Sequence, residues 1–429
     1  MIGIVASRAD EASEHVRERL LERADWETRR DADGGIYHVR EGFELRTFED
    51  LHLHLSEPDA AFEDPDVLVF ASRHAGETGP LLTAHFPGNF GPAEFGGEDH
   101  SLARACPGAH RRVLGALAGH APEGYEVGME CTHHGPSAVE TPCMFVEVGS
   151  GEEQWRDPAA AGAVADAILA LDPAPAERTL VGFGGGHYVP RFERIVRETG
   201  WAVGHVAAAW ALDAMGEPDP GVIGAAFERS DATLAVVEGD RPALEGVIEE
   251  LGHRVVSETW VREADGVPLE RVADLEERLS TVGDGLRFGE RAGVDALRIE
   301  SPDPDLLADA NGIDRERVRE AVGTHAVAFE TEDGGSRVAG RIAVPDGPAY
   351  DAILGVLVDV LATRYAEAER EGGEVRVRER AFDPERARTL GVPEGPAFGR
   401  LANGEPVEVD GESIPPEAVH EERTRRYRV

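Results

Sequence analysis

The sequence predicts an α/β protein with a mixed sheet flanked by helices. Short apolar runs such as residues 2–6 and 67–71 alternate with amphipathic stretches such as residues 11–24. These are the periodicities of buried strands and of surface helices, and their alternation is typical of a layered α/β fold. Pro190 follows one such strand and opens an amphipathic stretch, which predicts a helix start because the missing N–H costs nothing there.

Each element follows from the same periodicity. The predicted strands are residues 2–6, 67–71, 125–131, 144–148, 179–183, 232–237 and 254–259. The predicted helices are residues 11–24, 101–118, 158–171, 190–199 and 242–251. Residues 51–55 alternate leucine with histidine, which predicts a strand with His52 and His54 on one solvated face rather than at a metal site.

A second domain is expected because 429 residues exceed the usual size of one hydrophobic core. After residue 265 the sequence becomes more acidic and poorer in histidine, with a helical stretch at residues 349–371 and an Arg/Glu-rich strand candidate at residues 374–378. We therefore predict a catalytic domain over residues 1–265 and an acidic α+β extension of unknown role over residues 266–429.

The charge balance predicts a protein adapted to salt. The net charge is -40, and all 43 basic residues are arginine. A surface of this kind stays hydrated in concentrated salt, where screening is strong. Three cysteines without a CxxC pair suit a reducing compartment. The first apolar run is too short for a signal peptide, and no run approaches the ~20 residues of a membrane span. The sequence predicts a soluble, cytoplasmic protein from a halophile.

Three runs that contain histidine are the candidate catalytic and metal-binding segments. They are Ser72-Arg73-His74 with Leu82-Thr83-Ala84-His85-Phe86-Pro87-Gly88-Asn89, then Glu130-Cys131-Thr132-His133-His134-Gly135-Pro136, then Gly184-Gly185-Gly186-His187-Tyr188-Val189-Pro190-Arg191. Imidazole is the commonest zinc ligand and titrates near neutrality. We expect the three runs to converge in one hydrolytic pocket.

The glycine run leads from a buried strand into a helix, which predicts an anion cradle. Gly184, Gly185 and Gly186 would let backbone N–H groups approach a phosphate or an oxyanion, with His187 and Arg191 beside it. Tight packing is the alternative reason for three glycines at such a turn.

The other histidines are predicted in loops. Gly135-Pro136 forces a loop after the strand, so His133 and His134 can face one pocket, the alternative being hydrogen-bonded core residues. His74 and His85 are predicted in a loop at the C-terminal side of the strand over residues 67–71, where α/β sheets build ligand crevices. Cys131 is a poor candidate nucleophile because it stands two residues from His133 on a strand.

Several enzyme classes lack their motifs here. The sequence contains no Gly-x-Ser-x-Gly elbow, no His-Glu-x-x-His helix and no Walker loop. Serine esterases, common zinc peptidases and P-loop enzymes are therefore disfavoured.

In this order and spacing, the three runs resemble the archaeal and plant type of D-aminoacyl-tRNA deacylase over residues 1–265. Further matching motifs are Phe95-Gly96-Gly97, Phe145-Val146-Glu147-Val148-Gly149-Ser150, Trp155 and His205. The resemblance implies a fold similar to phosphorylases and peptidyl-tRNA hydrolases. It also implies chiral proofreading, in which the ester between a D-amino acid and the terminal ribose of tRNA is hydrolysed with broad amino-acid tolerance and two zinc ions per chain.

With that resemblance, the candidate residues receive roles. Catalysis is assigned to His187, His133, Thr132 and Tyr188; substrate binding to Thr83, Gly184, Gly185, Gly186 and Arg191; and zinc binding to His74, His85, His133, His134 and Glu130. Two mechanisms are open. A bound zinc would lower the pKa of a water to about 7 and supply hydroxide, or the pocket would orient a water or the ribose hydroxyl against backbone oxyanion donors.

The resemblance implies the acceptor end of a D-aminoacyl-tRNA as partner, with no membrane or DNA partner and a monomeric chain. Because phosphate attraction weakens in salt, we expect recognition by shape and by stacking of the single-stranded end. A local arginine cluster, Arg111 with Arg112 or Arg191 with Arg194, would anchor it unless these arginines pair with surface acids. The alternative functions are a zinc amidohydrolase or peptidase acting on a peptide-like substrate, and an RNA-binding module without catalysis.

Overall fold

The computed structural model describes residues 1–32 and 34–429, which form two compact units, Met1–Asp265 and Gly266–Val429. Each unit has buried apolar clusters of its own. The roles assigned to the two predicted domains stay predictions.

The first unit alternates strands and helices along its length. Its strands are β1 (Ile2–Ser7), β2 (Glu27–Arg30), β3 (Ile36–Arg40), β4 (Phe43–Phe48), β5 (Val67–Arg73), β6 (Leu81–His85), β7 (Glu126–Met129), β8 (Cys143–Gly149), β9 (Thr179–Phe183), β10 (Ala202–Ala207), β11 (Leu234–Val237) and β12 (Arg254–Val255). Its helices are α1 (Glu11–Arg23), α2 (Pro107–His120), α3 (Glu152–Trp155), α4 (Pro158–Leu169), α5 (Pro190–Glu198), α6 (Ala209–Met215), α7 (Pro220–Ser230), α8 (Pro242–Glu250) and α9 (Glu258–Glu263).

The strands of this unit form two sheets. The first is mixed, with the order β2-β3-β4-β1-β5-β8-β6-β7; β6 runs antiparallel to β8 and parallel to β7. The second is parallel, with the order β10-β9-β11-β12. Helices α1, α2 and α4 pack on the mixed sheet. The predicted α/β class with a mixed sheet flanked by helices is confirmed.

Aspartate caps explain where several helices begin. Asp157 and Asp219 each accept a backbone N–H in the first turn of α4 and α7, and a proline follows each of them. Asp10 caps α1 through Oδ1, which accepts the Ser13 N–H at 3.0 Å. Its Oδ2 accepts the Arg73 N–H at 3.0 Å, so the cap also fixes the end of β5.

The register of the mixed sheet aligns polar side chains at its centre. Ser72 of β5 lies opposite Glu147 of β8, and Glu147 lies opposite Thr83 of β6. Partners in register share a face, and the two-residue period adds His85 to that face. Strand β7, which pairs with β6, ends at Met129, and Glu130 directly follows it. The adjacent strands β5, β8, β6 and β7 therefore bring carboxylate and imidazole side chains together at one region of the sheet.

The second unit consists of helices and antiparallel sheets, as expected for an α+β extension. Its helices are α10 (Leu269–Arg278), α11 (Pro304–His325), α12 (Ala349–Ala362), α13 (Pro384–Thr389) and α14 (Pro396–Ala402). Its strands are β13 (Leu286–Phe288), β14 (Leu297–Glu300), β15 (Ala328–Glu332), β16 (Arg337–Pro345), β17 (Glu367–Glu371), β18 (Glu374–Phe382), β19 (Val407–Val409), β20 (Glu412–Ile414) and β21 (His420–Arg428). The sheet orders are β13-β15-β16-β14, β17-β18-β21 and β19-β20.

Two predicted helices have different bounds. The helix predicted over residues 349–371 ends at Ala362, because residues 367–371 pair with β18 as strand β17. The helix predicted from residue 101 begins at Pro107, which suits proline's preference for the first turn. None of the helices that the structure describes has the length and apolar character needed to cross a bilayer.

The strand predicted at residues 51–55 is wrong. His52–His54 form a single 3-10 turn, and His52 is buried rather than solvated. Its ring meets Phe70 and Phe145 edge-on, with centroids 6.0 and 5.9 Å away. Five alternating residues are too few to distinguish a strand from a turn, and an imidazole can pack as an aromatic ring.

Candidate active site

The three histidine runs converge in one cluster. We call it the histidine–carboxylate centre; its members are His74, His85, Glu130, His133, His134, Glu147 and His187. The ring centroids of His85 and His133 lie 4.1 Å apart, and those of His133 and His187 lie 4.7 Å apart. His85 is the last residue of strand β6 rather than part of a loop, so the loop prediction is wrong for that residue.

Two buried carboxylates organise the imidazoles. Glu130 Oε2 lies 2.6 Å from His187 Nε2 and 3.4 Å from His74 Nδ1. Glu147 Oε1 accepts the Ser72 hydroxyl at 2.6 Å and lies 3.5 Å from His85 Nε2. A buried acid is rarely found without partners of this kind, so each glutamate depends on its histidines.

Glu147 was not predicted as a site residue, although it lies at the core of the cluster. Its signal in the sequence is an acid within the apolar strand Cys143–Gly149, all of which is buried. A carboxylate in such a strand needs a buried partner, and that requirement could have pointed to the centre.

The centre contains charged and neutral imidazoles side by side. Burial disfavours the charged form of His74, but hydrogen bonds to Glu130 and Glu147 prevail and raise the pKa of His74 to about 11. Burial and the neighbouring charge of His85 lower the pKa of His134 to about 4. The same two causes lower the pKa of His133. His133 and His134 therefore present neutral rings, the form that binds metals.

Backbone carbonyls fix the orientation of three rings. The Nδ1 atoms of His133 and His134 donate to Cys131 O at 2.9 Å and to Gly135 O at 2.8 Å. His85 Nδ1 donates to Phe86 O at 3.3 Å. A carbonyl can only accept, so each Nδ1 carries a proton. In the neutral rings of His133 and His134, Nε2 is therefore left as the free ligand atom.

The donor set fits a transition-metal ion such as zinc. The potential ligand atoms of His85, His133 and His134 lie within 4.8 Å of one another, and so do those of His74, Glu130 and Glu147. Cys131, His133 and His187 form a third group of this kind. His85 Nε2 and Glu130 Oε1 are buried without a hydrogen-bond partner in the described part of the chain. Nitrogen and oxygen donors at this spacing are those that zinc prefers.

Two cavities open onto the centre and share Phe95, His133, His134 and His187 in their walls. The carboxylate cavity, about 320 Å³, is further lined by Asp10, His52, Ser72, Arg73, His74 and Glu147. The aromatic cavity, about 300 Å³, is further lined by Asn89, Phe90, Glu94, Trp210, Ala211 and Ala214. A wider cavity of about 720 Å³ beside β2–β4 has none of the centre's residues in its wall. The two smaller cavities are therefore the candidate substrate sites.

The predicted anion cradle is wrong at Gly184. The Gly184 N–H donates to Ala207 O at 2.7 Å, so it is not free to stabilise an oxyanion. A Cβ placed on Gly185 would lie 3.1 Å from Glu238 Oε2, and a carboxylate so close disfavours a second anion. The Arg191 Nε lies 3.5 Å from the same oxygen. Substrate roles for Gly185, Gly186 and Arg191 stay predictions.

The two threonines assigned to the site differ in their surroundings, and their roles stay predictions. The Thr132 hydroxyl accepts the Val206 N–H at 3.1 Å and donates to His205 Nδ1 at 3.0 Å. His205 Nε2 in turn donates to Ala103 O at 2.8 Å, so this threonine joins an interior network that positions the loop of His133. Thr132 also lines the aromatic cavity. Thr83 is fully buried in β6, outside the described lining of both cavities.

Tyr188 contacts the centre through a neighbouring histidine. Its hydroxyl lies 3.1 Å from His74 Nε2. Its ring is half-buried, and its role in catalysis stays a prediction.

Acid should weaken the fold through His205. Burial lowers the pKa of this histidine to about 4, below the value of ~6.5 expected in the unfolded chain. A lowered histidine pKa stabilises the fold above pH ~6.5, and that contribution is lost as the pH falls towards 4, by about 3 kcal/mol in total. In urea titrations at constant high salt, we expect His205→Gln to be less stable at pH 7 and to show a shallower loss between pH 6.5 and 4. His120→Gln, at an exposed position of α2, is the matched control; equal slopes in all three chains would contradict the assignment.

The predicted arginine anchors already have partners. Arg194 makes two hydrogen bonds to Glu258, at 2.7 and 2.6 Å, so the alternative of pairing with surface acids holds for it and for Arg191. Arg111 donates to Thr199 O, and Arg112 to Asp172 O and Ala174 O. Their use as tRNA anchors stays a prediction.

Cys131 stays a poor candidate nucleophile because its thiol is buried. Its Sγ lies 3.7 Å from His187 Nδ1 and within 4.8 Å of a ring nitrogen of His133. Burial raises the pKa of the thiol, which keeps it protonated and weakly nucleophilic.

The fold and the centre together define an α/β protein with buried acids and clustered histidines beside two cavities. The model of the D-aminoacyl-tRNA deacylase family matches residues 61–256. A D-aminoacyl-tRNA deacylase of Halorubrum lacusprofundi is 53% identical, over 100% of this chain and 96% of its own length. One from Haloarcula marismortui is 52% identical, over 100% of both chains. This chain belongs to the D-aminoacyl-tRNA deacylase family.

A solved structure supports the fold. A crystal structure described as a conserved protein of unknown function superposes with a TM-score of 0.57 and 30% identity, covering 62% of this chain and 98% of the other.

Proposed function

We propose that this chain hydrolyses the ester that joins a D-amino acid to the terminal ribose of tRNA, releasing free D-amino acid and tRNA. Its membership of the family supports this reaction, and the observation that carries the site is the convergence of Glu130, Glu147 and their histidines between two cavities. An ester between two bulky groups needs room on both sides of the scissile bond, and the two cavities supply it.

His187 and His133 are the residues we assign to the ester, His187 as the proton donor and His133 through the metal ion that it would ligate. Both line both cavities, and Glu130 Oε2 lies 2.6 Å from His187 Nε2, where the carboxylate orients the ring. When water adds to the carbonyl carbon and the bond to the ribose oxygen breaks, that oxygen needs a proton. A partly exposed imidazole held by a carboxylate is suited to deliver it.

His74 supports the same site from the side of the carboxylate cavity. Its ring lies between Tyr188 and the two glutamates. Its charged form neutralises the two buried acids, and the ring would give up its extra proton on ligating a metal ion. Tyr188 limits how far the ring can turn. We propose positioning roles for these two residues.

We further propose that the centre holds two zinc ions. His85, His133 and His134 would form one set of ligands, and His74, Glu130 and Glu147 the other. A bound zinc lowers the pKa of a coordinated water to about 7 and polarises a carbonyl oxygen. Glu147 is added to the predicted ligands, and His187 is kept for catalysis.

The setting of the reaction follows from composition. The net charge is -40, and all of the Lys and Arg positions are arginine. We therefore propose a monomeric protein that acts in a salt-rich cytoplasm. Its partner would be the aminoacylated end of tRNA rather than DNA or a membrane.

Deacylation of matched substrates tests the proposal. We expect purified protein in concentrated KCl to release tyrosine from D-tyrosyl-tRNA and to leave L-tyrosyl-tRNA intact. The measurement is the rate of loss of labelled aminoacyl-tRNA in acid precipitation.

Each alternative function predicts a different outcome of that assay. Cleavage of a D-tyrosyl dipeptide without deacylation would indicate the amidohydrolase or peptidase. Binding of tRNA without release of tyrosine would indicate the RNA-binding module. Either result would overturn the proposed hydrolysis.

A further inference from the structure

We propose that Trp210 and Phe95 form the surface on which the 3′-terminal nucleobase of tRNA stacks. The aromatic cavity would then hold the terminal adenosine, and the carboxylate cavity the aminoacyl group. This inference rests on the proposed function. It adds the orientation of the substrate, namely which cavity holds the adenosine and which holds the aminoacyl group.

Exposure singles out these two rings. Among the Phe, Tyr and Trp side chains that the structure describes, Phe95 and Trp210 are the most exposed, with 67% and 52% of their surface accessible. Both line the same cavity beside the histidines. Exposed aromatic surface next to a polar site is typical of a binding surface rather than of a core.

The backbone holds Phe95 in this exposed position. The Gly135 N–H donates to Phe95 O at 3.1 Å, and the Asn89 side chain donates to Gly96 O at 3.0 Å. A Cβ on Gly96 would lie only 2.1 Å from Leu53 O, so the loop packs closely against the chain beneath it. The ring is therefore presented to solvent by a fixed loop.

Trp210 is fixed in a similar way from the other sheet. It is the second residue of α6, directly after β10. The Ala209 N–H donates to Gly185 O at 2.9 Å, which ties this helix to the glycine run that precedes His187. Trp210 lines the aromatic cavity, whereas Phe95 lies in the wall common to both cavities.

The chemistry of the two cavities distinguishes their occupants. The wall of the carboxylate cavity combines apolar residues such as Leu51 and Phe145 with the charged side chains of Asp10, Arg73, His74 and Glu147. The charged groups suit the ammonium and carbonyl of an aminoacyl group. The aromatic cavity has Asn89 and Glu94 in its wall, and it adds the exposed rings of Phe95 and Trp210. A nucleobase can stack on an aromatic ring without an oppositely charged side chain nearby. Stacking therefore suits a chain of net charge -40 in concentrated salt, where the attraction of phosphates is weak.

The expected position of the ester agrees with this orientation of the substrate. His133, His134 and His187 form the wall between the cavities. An adenosine in the aromatic cavity would place its ribose, and the ester on it, beside these imidazoles. The cavity volume of about 300 Å³ lies at the lower end of the ~300–1,000 Å³ range of small-molecule sites.

The test compares binding of two uncharged tRNAs in concentrated KCl, one intact and one lacking its 3′-terminal adenosine. We expect wild-type protein to bind the intact tRNA more tightly, and Trp210→Ala to lose about fivefold to 150-fold of that preference. Phe95→Ala should lose part of it. Trp210→Phe and Phe95→Tyr, which keep a ring, should restore most of it. Leu251→Ala, at another exposed apolar residue of this unit, is the matched control and should bind as the wild type does.

The outcomes separate this inference from the proposed function. If the wild type binds both tRNAs equally, or if Trp210→Ala keeps the full preference, the stacking surface is wrong even when D-tyrosyl-tRNA is hydrolysed. If the preference depends on Trp210 but no D-tyrosyl-tRNA is hydrolysed, the stacking surface stands and the proposed hydrolysis fails. With D-tyrosyl-tRNA as substrate, Trp210→Ala should raise KM more than it lowers kcat.

Discussion

Replacing Glu130 with glutamine is expected to lower the rate of D-aminoacyl-tRNA deacylation by about 100-fold to 10,000-fold, the range typical of general acid–base groups and their supports. Glu130 Oε2 contacts His187 at 2.6 Å, His74 at 3.4 Å and His133 at 3.8 Å. Glutamine keeps the shape of the side chain, but it removes the negative charge with which all three imidazoles interact. Because Glu130 also belongs to a potential ligand set, the zinc content should fall as well.

The measurement for Glu130→Gln is the single-turnover rate on D-tyrosyl-tRNA together with metal analysis of the same sample. Glu126→Gln is the matched control, because Glu126 is an exposed carboxylate on the same strand β7. Circular dichroism verifies that both variants fold. Full activity in a folded Glu130→Gln chain would remove the carboxylate from the mechanism.

Replacing His187 with glutamine is expected to reduce deacylation by a similar factor, about 100-fold to 10,000-fold, while zinc is retained. His187 is the most exposed ring of the centre that contacts Glu130, with 33% of its side chain accessible. Its loss should leave the fold intact, since substitutions at partly exposed positions change stability by about 1 kcal/mol or less. The glutamine amide can still donate to Glu130, but it cannot transfer a proton.

Activity and metal content, measured together, distinguish the roles of His187. Loss of activity with unchanged zinc would support proton delivery to the leaving oxygen. Loss of zinc in parallel would assign His187 to the ligands, together with Cys131 and His133, which lie within reach of it. His120→Gln serves as the control for a histidine outside the site.

Much of the site could be predicted because its residues interrupt the local patterns around them. His187 follows three glycines, and His133 and His134 precede Gly135-Pro136. Such residues are not placed by strand or helix periodicity, so their presence indicates a local function. The α/β class was predictable for the opposite reason, since strand β9 over Thr179–Phe183 and helix α1 from Glu11 follow simple apolar patterns.

The rest depends on tertiary packing. Glu147 joins the centre through the register of β8 with β5 and β6, which no local pattern contains. His52 is buried because Phe70 and Phe145 meet beside it, and the two rings come from different strands. The Gly184 N–H is occupied by Ala207 of the neighbouring strand. In each case the decisive partner is distant in sequence.

The most direct measurement is the initial rate of D-tyrosine release from D-tyrosyl-tRNA, with L-tyrosyl-tRNA as the paired substrate. Wild-type, Glu126→Gln and Glu130→Gln chains would be compared at equal purity in concentrated KCl. We predict D-specific release by the first two and its loss in Glu130→Gln. D-specific release that persists in Glu130→Gln would contradict the conclusion that the histidine–carboxylate centre is the active site.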